Sequence, residues 1–276
     1  MKLVGVEREL MGYVSTSATV LQAPDSTTLE YAADQIATNR EKVEQYLVPM
    51  LSRLDVKSVL DVGCGVGVMA SELLDRGYDA YGADLAGVVP HWAQQGLPRD
   101  RFIVTDPADF RLPFADDSFD FVFSFGVIEH VGTTDGHANR EANYHDIRQR
   151  WLAELMRVTA VGGHLLVGGP NKNFPVDFAH GPDSRASFLV KKLSKYLGFT
   201  VHSPWGDNFL WGYGDLRRYL NDFDCDIVPC RIDGLVSFSR VPAIFRKLAD
   251  SYIKYLPGVG LGSGLNPWMM GLVKKR

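Results

Sequence analysis

The sequence predicts an α/β fold built on a doubly wound, mostly parallel sheet, and three observations carry that expectation. Val59, Leu60 and Val62 form a short apolar run of the kind a strand covered on both faces needs, and it breaks into Gly63, Gly65 and Gly67 just before a helical pattern at Met69. Two further short strands are expected after it, Asp79 to Ala83 and Arg101 to Thr105, delivering Asp84 and Asp106 to their C-terminal ends. The stretch Phe119 to Ser124 is mostly apolar at odd and even positions alike, as a central strand is.

The glycines define what such a sheet would hold. Without a Cβ they let the backbone approach a ligand, and a helix N-terminus offers free N–H donors, so a nucleotide cofactor is expected there. A dinucleotide fingerprint requires Gly-x-Gly-x-x-Gly, but Gly67 comes one position early and Val68 stands where the third glycine belongs. Asp61, inside the strand end, repels a pyrophosphate and suits a positively charged amino-acid moiety. That favours S-adenosylmethionine over NAD. The run Val59-Leu-Asp-Val-Gly-Cys-Gly-Val-Gly67 resembles the first motif of the class I S-adenosylmethionine-dependent methyltransferases. A second block, Leu112-Pro-Phe-Ala-Asp-Asp-Ser-Phe-Asp-Phe-Val-Phe-Ser124, is similar to the same family's run from the adenine loop into the fourth strand. The resemblance covers about residues 57 to 170 and implies a Rossmann-like sheet of seven strands with an antiparallel final strand.

Taken in order, residues 1 to 28 mix short apolar pieces with Ser, Thr and the turn chemistry of Pro24-Asp25-Ser26. From Thr28 to Leu54, Leu29, Ala32, Ile36, Val43, Tyr46, Leu47 and Leu51 recur at helical spacing. The expected plan is an N-terminal helical cap over residues 1–56 and a methyltransferase domain over 57–276. Met69 to Arg76 reads as a helix stopped by Gly77, Tyr144 to Val158 as another, and Gly162-Gly163 as the turn into a fifth strand, His164 to Val167. Helical insertions covering the active site are expected at about 171–213 and 235–265. The first contains Ser187 to Gly198, whose apolar stripe of Phe188, Leu189, Leu193 and Leu197 has Lys191, Lys192 and Lys195 outside it. Trp205, Phe209, Trp211 and Tyr213 suit a pocket lining or core packing equally. Gly214 to Asn221 reads as a crossover helix, Cys225 to Arg231 as the sixth strand and Trp268 to Val273 as the last. In the second insertion Phe245, Leu248, Tyr252 and Ile253 form one face beside Arg246 and Lys247, a pattern that fits a membrane surface, though burial against the domain or in a dimer is the plainer reading.

Under the resemblance, cofactor contacts fall on Asp61, Gly63, Cys64, Gly65, Asp84, Leu85, Asp106, Pro107, Phe125 and Gly126. A carboxylate at Asp84 can accept both ribose hydroxyls, while an Asp at a strand end also serves as a helix cap. Asp106 matches the family's acidic residue at the adenine amino group, and Asp106-Pro107 is also turn chemistry. Glu129 and His130, in the loop after the fourth strand, match a Glu-His that the family frequently carries. His130 reads as a base, as a holder of the cofactor's methionine end, or as a structural hydrogen-bonding group. With His145 and His180 it makes the candidate catalytic set. No spacing matches a metal site, so none is expected.

The 276 residues are 46% hydrophobic, enough for one substantial core, and the formal net charge of −4 with no long Lys or Arg block gives no reason to expect a nucleic-acid partner. The Asn/Asp-Pro-Pro-aromatic signature of methyltransferases acting on base amino groups is also absent. Three cysteines, Cys64, Cys225 and Cys230, fit a reducing cytoplasm. No signal pattern and no apolar run of about 20 residues is present, so no integral membrane segment is expected. The expected activity is methyl transfer from S-adenosylmethionine, giving S-adenosylhomocysteine, to an O, N or C atom of a small molecule of natural-product, sugar or lipid type. A homodimer is left open. An NAD-dependent oxidoreductase and a non-catalytic partner subunit are the alternatives.

Overall fold

The computed structural model describes residues 8–16, 35–133, 139–177, 180–182, 186–197, 199–201, 209–236 and 243–276. The chain divides into two compact units. The first comprises Met1–Ser124, Glu154–Leu165 and Lys274–Arg276, and the second Phe125–Ala153 and Leu166–Val273.

In the first unit, a hairpin of β1 (Arg8–Leu10) and β2 (Tyr13–Ser15) precedes a helical stretch that closes with α1 (Val48–Arg53). Then come β3 (Ser58–Val62), α2 (Val68–Asp75), β4 (Asp79–Leu85), α3 (Val89–Gln95), β5 (Phe102–Thr105) and β6 (Phe119–Phe125). Strand β3 pairs in parallel with both β4 and β6, and β4 with β5, so β3 is flanked on both edges and its residues Val59 to Val62 are buried. That explains the unbroken apolar run: a parallel strand between crossover helices has no wet face. The core on one side gathers Tyr13, Trp92 and Phe102, with Trp92 ring centroids 5.5 Å from Tyr13 and 5.3 Å from Phe102. Burying each such ring contributes roughly 1.5–3 kcal/mol.

The second unit carries α4 (Tyr144–Val158, which starts here), β7 (Thr159–Pro170, which ends here), β8 (Val176–Asp177), α5 (Phe188–Leu197) and β9 (Thr200–Val201). It continues with α6 (Tyr213–Tyr219), β10 (Cys225–Pro229), α7 (Ala243–Tyr255), α8 (Gly258–Leu261) and β11 (Trp268–Lys275). Phe209, Trp211, Leu216, Met269 and Met270 are fully buried. Phe209, Trp211 and Tyr213 are therefore packed in the core of this unit; Trp205 lies outside the described residues.

The main sheet runs β1-β2-β5-β4-β3-β6-β7-β11-β10. Among the described residues it has nine strands where seven were expected, because the N-terminal hairpin joins it: β2 lies parallel to β5, with Val14 opposite Ile103. The region read as a helical cap therefore includes two strands. Three-residue strands are too short to show a period of two, which is why the sequence does not mark them. A second correction concerns Gly162 and Gly163, which lie inside β7 and not before it. A Cβ on Gly163 would sit 2.8 Å from the Asp120 carbonyl oxygen, so the glycine permits close backbone approach, while Gly162 at φ +80° kinks the strand. A third concerns α5 and α7. Phe188, Leu189 and Leu193 on α5, and Phe245 and Leu248 on α7, are exposed, so the described residues of this one chain do not cover either apolar face; only Ile253 is buried. No helix among the described residues is long and apolar enough to cross a membrane.

Candidate active site

In the first unit the chain leaves β3 through Gly63, Gly65 and Gly67, at φ +79°, +55° and +83°. These are left-handed conformations that cost other residues about 1–2 kcal/mol or more, which explains the three glycines. The turn is pinned by its own backbone, with Gly63 N–H and Cys64 N–H donating to the Ala83 carbonyl at 2.8 and 3.1 Å. It is also pinned by Asp84 at the end of β4. One Asp84 oxygen accepts the Gly65 N–H at 2.6 Å and the other the Leu85 N–H at 2.6 Å. Each oxygen keeps a second lone pair. Asp84 thus acts on the glycine turn directly, beyond the ribose and cap roles that its position suggests.

Sequence reasoning missed two residues here. Trp92 Nε1 donates to the Gly65 carbonyl and Gln95 Nε2 to the Val66 carbonyl, both at 2.8 Å. Both come from α3, whose signal was legible: Pro90 near the helix start and Gly96, at φ +67°, just past its end. Asp61 is 4% exposed, and burial, reinforced by the charge of Asp84, raises its carboxyl well above the usual range. Burial likewise pushes the Cys64 thiol up, with Asp61 adding to the shift. Asp106 accepts the Ala108 N–H at 2.8 Å, closing the turn that Asp-Pro chemistry suggests, with Pro107 exposed beside it. Asp120 accepts the Lys57 and Ser58 N–H groups, each at 2.9 Å, a structural role.

The second unit holds the other group. Phe125 and Gly126 open its loop, and the Gly126 N–H donates to the Gly168 carbonyl at 2.8 Å. Glu129 follows at 1% exposure. Burial pushes its carboxyl up to about 7 against the lowering influence of His180. Glu129, His130 and His180 present one ligand atom each, all within 4.8 Å of one another. The His130 and His180 rings lie 5.4 Å apart. His180 Nδ1 meets the buried Asp177 carboxylate at 3.1 Å.

Arg148, 1% exposed, positions this loop and was not anticipated. Its Nη2 donates to the Glu129 and Phe209 carbonyls at 3.0 and 2.7 Å and its Nε to the Val131 carbonyl at 3.0 Å. Its signal was an arginine among Ile147, Trp151, Leu152 and Leu155 on the core face of α4. His145 is not brought into the cluster. Its Nδ1 lies 2.6 Å from both the Tyr219 hydroxyl and Arg218 Nη2, and burial, then Arg218, lowers its pKa. Asn171, at the start of the first expected insertion, ties down a turn, donating to the Ser263 and Asn266 carbonyls at 2.9 and 2.8 Å.

Residues 60–167 match the family described as Methyltransferase domain, spanning the glycine turn, Asp84 and the Glu129-His130 loop. This segment is a class I methyltransferase domain, of the kind that takes S-adenosylmethionine as methyl donor. The chain is 31% identical over 170 residues to a demethylmenaquinone methyltransferase of Thermobifida fusca, covering 59% of each protein. It is 30% identical over 140 residues to a probable chloroplastic tocopherol O-methyltransferase of Oryza sativa, covering 48% of this chain and 34% of that one. Over 112 residues it is 32% identical to a ubiquinone biosynthesis O-methyltransferase of Sinorhizobium medicae, covering 39% and 42%. The chain thus spans less than two thirds of the length of these relatives.

Proposed function

We propose that this methyltransferase domain transfers the methyl group of S-adenosylmethionine to a small-molecule acceptor. The observation that carries the reading is the glycine turn held by Asp84 at the end of the strand that carries the buried Asp61. Its left-handed glycines give a backbone cradle, and Asp61 suits a cationic amino-acid end far better than a pyrophosphate. Asp61, Gly63, Cys64, Gly65, Asp84, Leu85, Asp106, Pro107, Phe125 and Gly126 are the residues assigned to cofactor contact. An oxygen acceptor on a lipid-like ring compound is the favoured class, supported by relatives named for tocopherol and ubiquinone O-methylation. In-line methyl transfer needs alignment of donor and acceptor, which supplies up to about 7–11 kcal/mol in favourable cases.

The test is titration calorimetry of the full chain with S-adenosylmethionine and S-adenosylhomocysteine, followed by transfer of a labelled methyl group to a panel of phenolic, catecholic and sugar acceptors. Saturable binding with label appearing in a phenolic acceptor supports the reading. A native chain that binds neither cofactor form sinks it.

A further inference from the structure

We propose that Glu129, His130 and His180 bind one divalent transition-metal cation, with Asp177 orienting His180. The inference goes beyond methyl transfer and does not rest on it, since the ion is assayed directly.

Three features of the second unit lead there. The first is the ligand set: one carboxylate and two imidazoles whose ligand atoms lie within 4.8 Å of one another. Bonds of about 2.0–2.2 Å to zinc-like ions require only that small side-chain rotations draw these atoms together. The second is an orphaned charge. Glu129 is 1% exposed, yet its Oε2 has no hydrogen-bond partner. A buried carboxylate oxygen in that condition is costly. The guanidinium of Arg148 acts on this carboxyl through its charge but gives Oε2 no hydrogen bond, its Nε and Nη2 donating to the carbonyls of Val131, Glu129 and Phe209. A bound metal cation serves that oxygen directly. The third is the support behind His180. Asp177, 5% exposed, meets His180 Nδ1 with one carboxylate oxygen and accepts the His180 backbone N–H with the other, both at 3.1 Å. A carboxylate behind one ring nitrogen fixes that nitrogen as the proton carrier and turns the lone pair of Nε2 outward, the arrangement metal-bound histidines use.

Two nitrogens and one oxygen suit zinc, cobalt, iron or manganese better than calcium or magnesium, whose preference is for oxygen. Three protein ligands leave at least one coordination position for water or for a hydroxyl or carbonyl oxygen. As ligands, His130 and His180 give their lone pairs to the ion and are not general bases, which replaces the proton-accepting role the sequence suggests for them.

The test uses the untagged full chain, freed of metal by chelator and titrated with cobalt(II), whose visible absorption reports coordination. One saturable equivalent is expected, displaced by zinc(II). Glu129→Gln and His180→Ala should each weaken it at least tenfold, and Asp177→Asn by about 10–100-fold. His145→Ala, outside the cluster, should leave it unchanged, with circular dichroism confirming that each variant is folded. Absence of saturable cobalt or zinc binding by the native chain overturns the proposal without touching the methyl-transfer reading. So does binding that folded His180→Ala retains in full.

Discussion

The Gly65 backbone N–H donates to the Asp84 carboxylate at 2.6 Å, joining the glycine turn to the end of the neighbouring strand. Removing the charge while keeping the shape tests what that bond does. Asp84→Asn places an amide where two N–H groups point, and at least one of them then faces an NH2. With charge-assisted bonds contributing about 1.5–3 kcal/mol each, calorimetric affinity for S-adenosylmethionine should fall at least about tenfold. Unchanged affinity would separate Asp84 from the cofactor.

Asp61 sets a pH dependence. Burial, then Asp84, raises its folded pKa well above that of the unfolded chain, so the folded state holds the proton more tightly. Its contribution to stability is full below the unfolded pKa of about 3.9 and is lost as pH rises through the higher folded value. Asp61→Asn removes this loss. In the absence of cofactor, the variant should melt higher than the native chain at pH 7, with the difference vanishing near pH 4, while its cofactor affinity drops. Thermal melts of both chains across that range provide the check, and parallel curves would refute it.

Arg148 is the single strut behind three carbonyls. Arg148→Met keeps the volume and orphans the acceptors at Glu129, Val131 and Phe209, at about 1–3 kcal/mol for each that water cannot reach. Lysine, with no planar fork, should recover only part of the loss. Denaturant titration measures both, and a lysine variant as stable as the native chain would contradict the geometry.

Two glycines make a matched pair. A Cβ on Gly169 would lie 2.7 Å from Trp211 Nε1 and 2.8 Å from Glu129 Oε2, whereas one on Gly214 meets nothing within 4 Å. Gly169→Ala should therefore destabilise by about 1–3 kcal/mol. Gly214→Ala, in α6, should stabilise by about 0.4–1 kcal/mol. Equal effects in equilibrium unfolding would rule out the packing account.

What was readable in the sequence and what was not follows from the range of the forces involved. Strand β3, the glycine turn and α4 announce themselves through local periodicity and left-handed turn positions, and Tyr144–Val158 has the ends the sequence predicts. The hairpin β1–β2 does not, because its place beside β5 is decided by partners far along the chain. The same holds at the sites. Asp84 was legible as an acidic strand end, but its bond to Gly65 is a tertiary fact. Glu129, His130 and His180 form no metal-binding spacing, since folding alone brings the last of them to the other two. The apolar stripe on α5 was correctly seen as amphipathic; whether it is covered is not a local property, and Phe188 at 77% exposure is not.

Trp92 gives the protein an optical sensor of its own. Its indole is shielded from solvent, yet its N–H is bonded to the Gly65 carbonyl of the turn assigned to the cofactor. Its emission should be blue-shifted in the ligand-free chain, and any rearrangement of that carbonyl as the turn closes on a ligand reaches the fluorophore through one hydrogen bond. The chain has five tryptophans, so the part of the signal that Trp92→Phe removes is the part that reports occupancy of the turn, without a label and in a stopped-flow instrument.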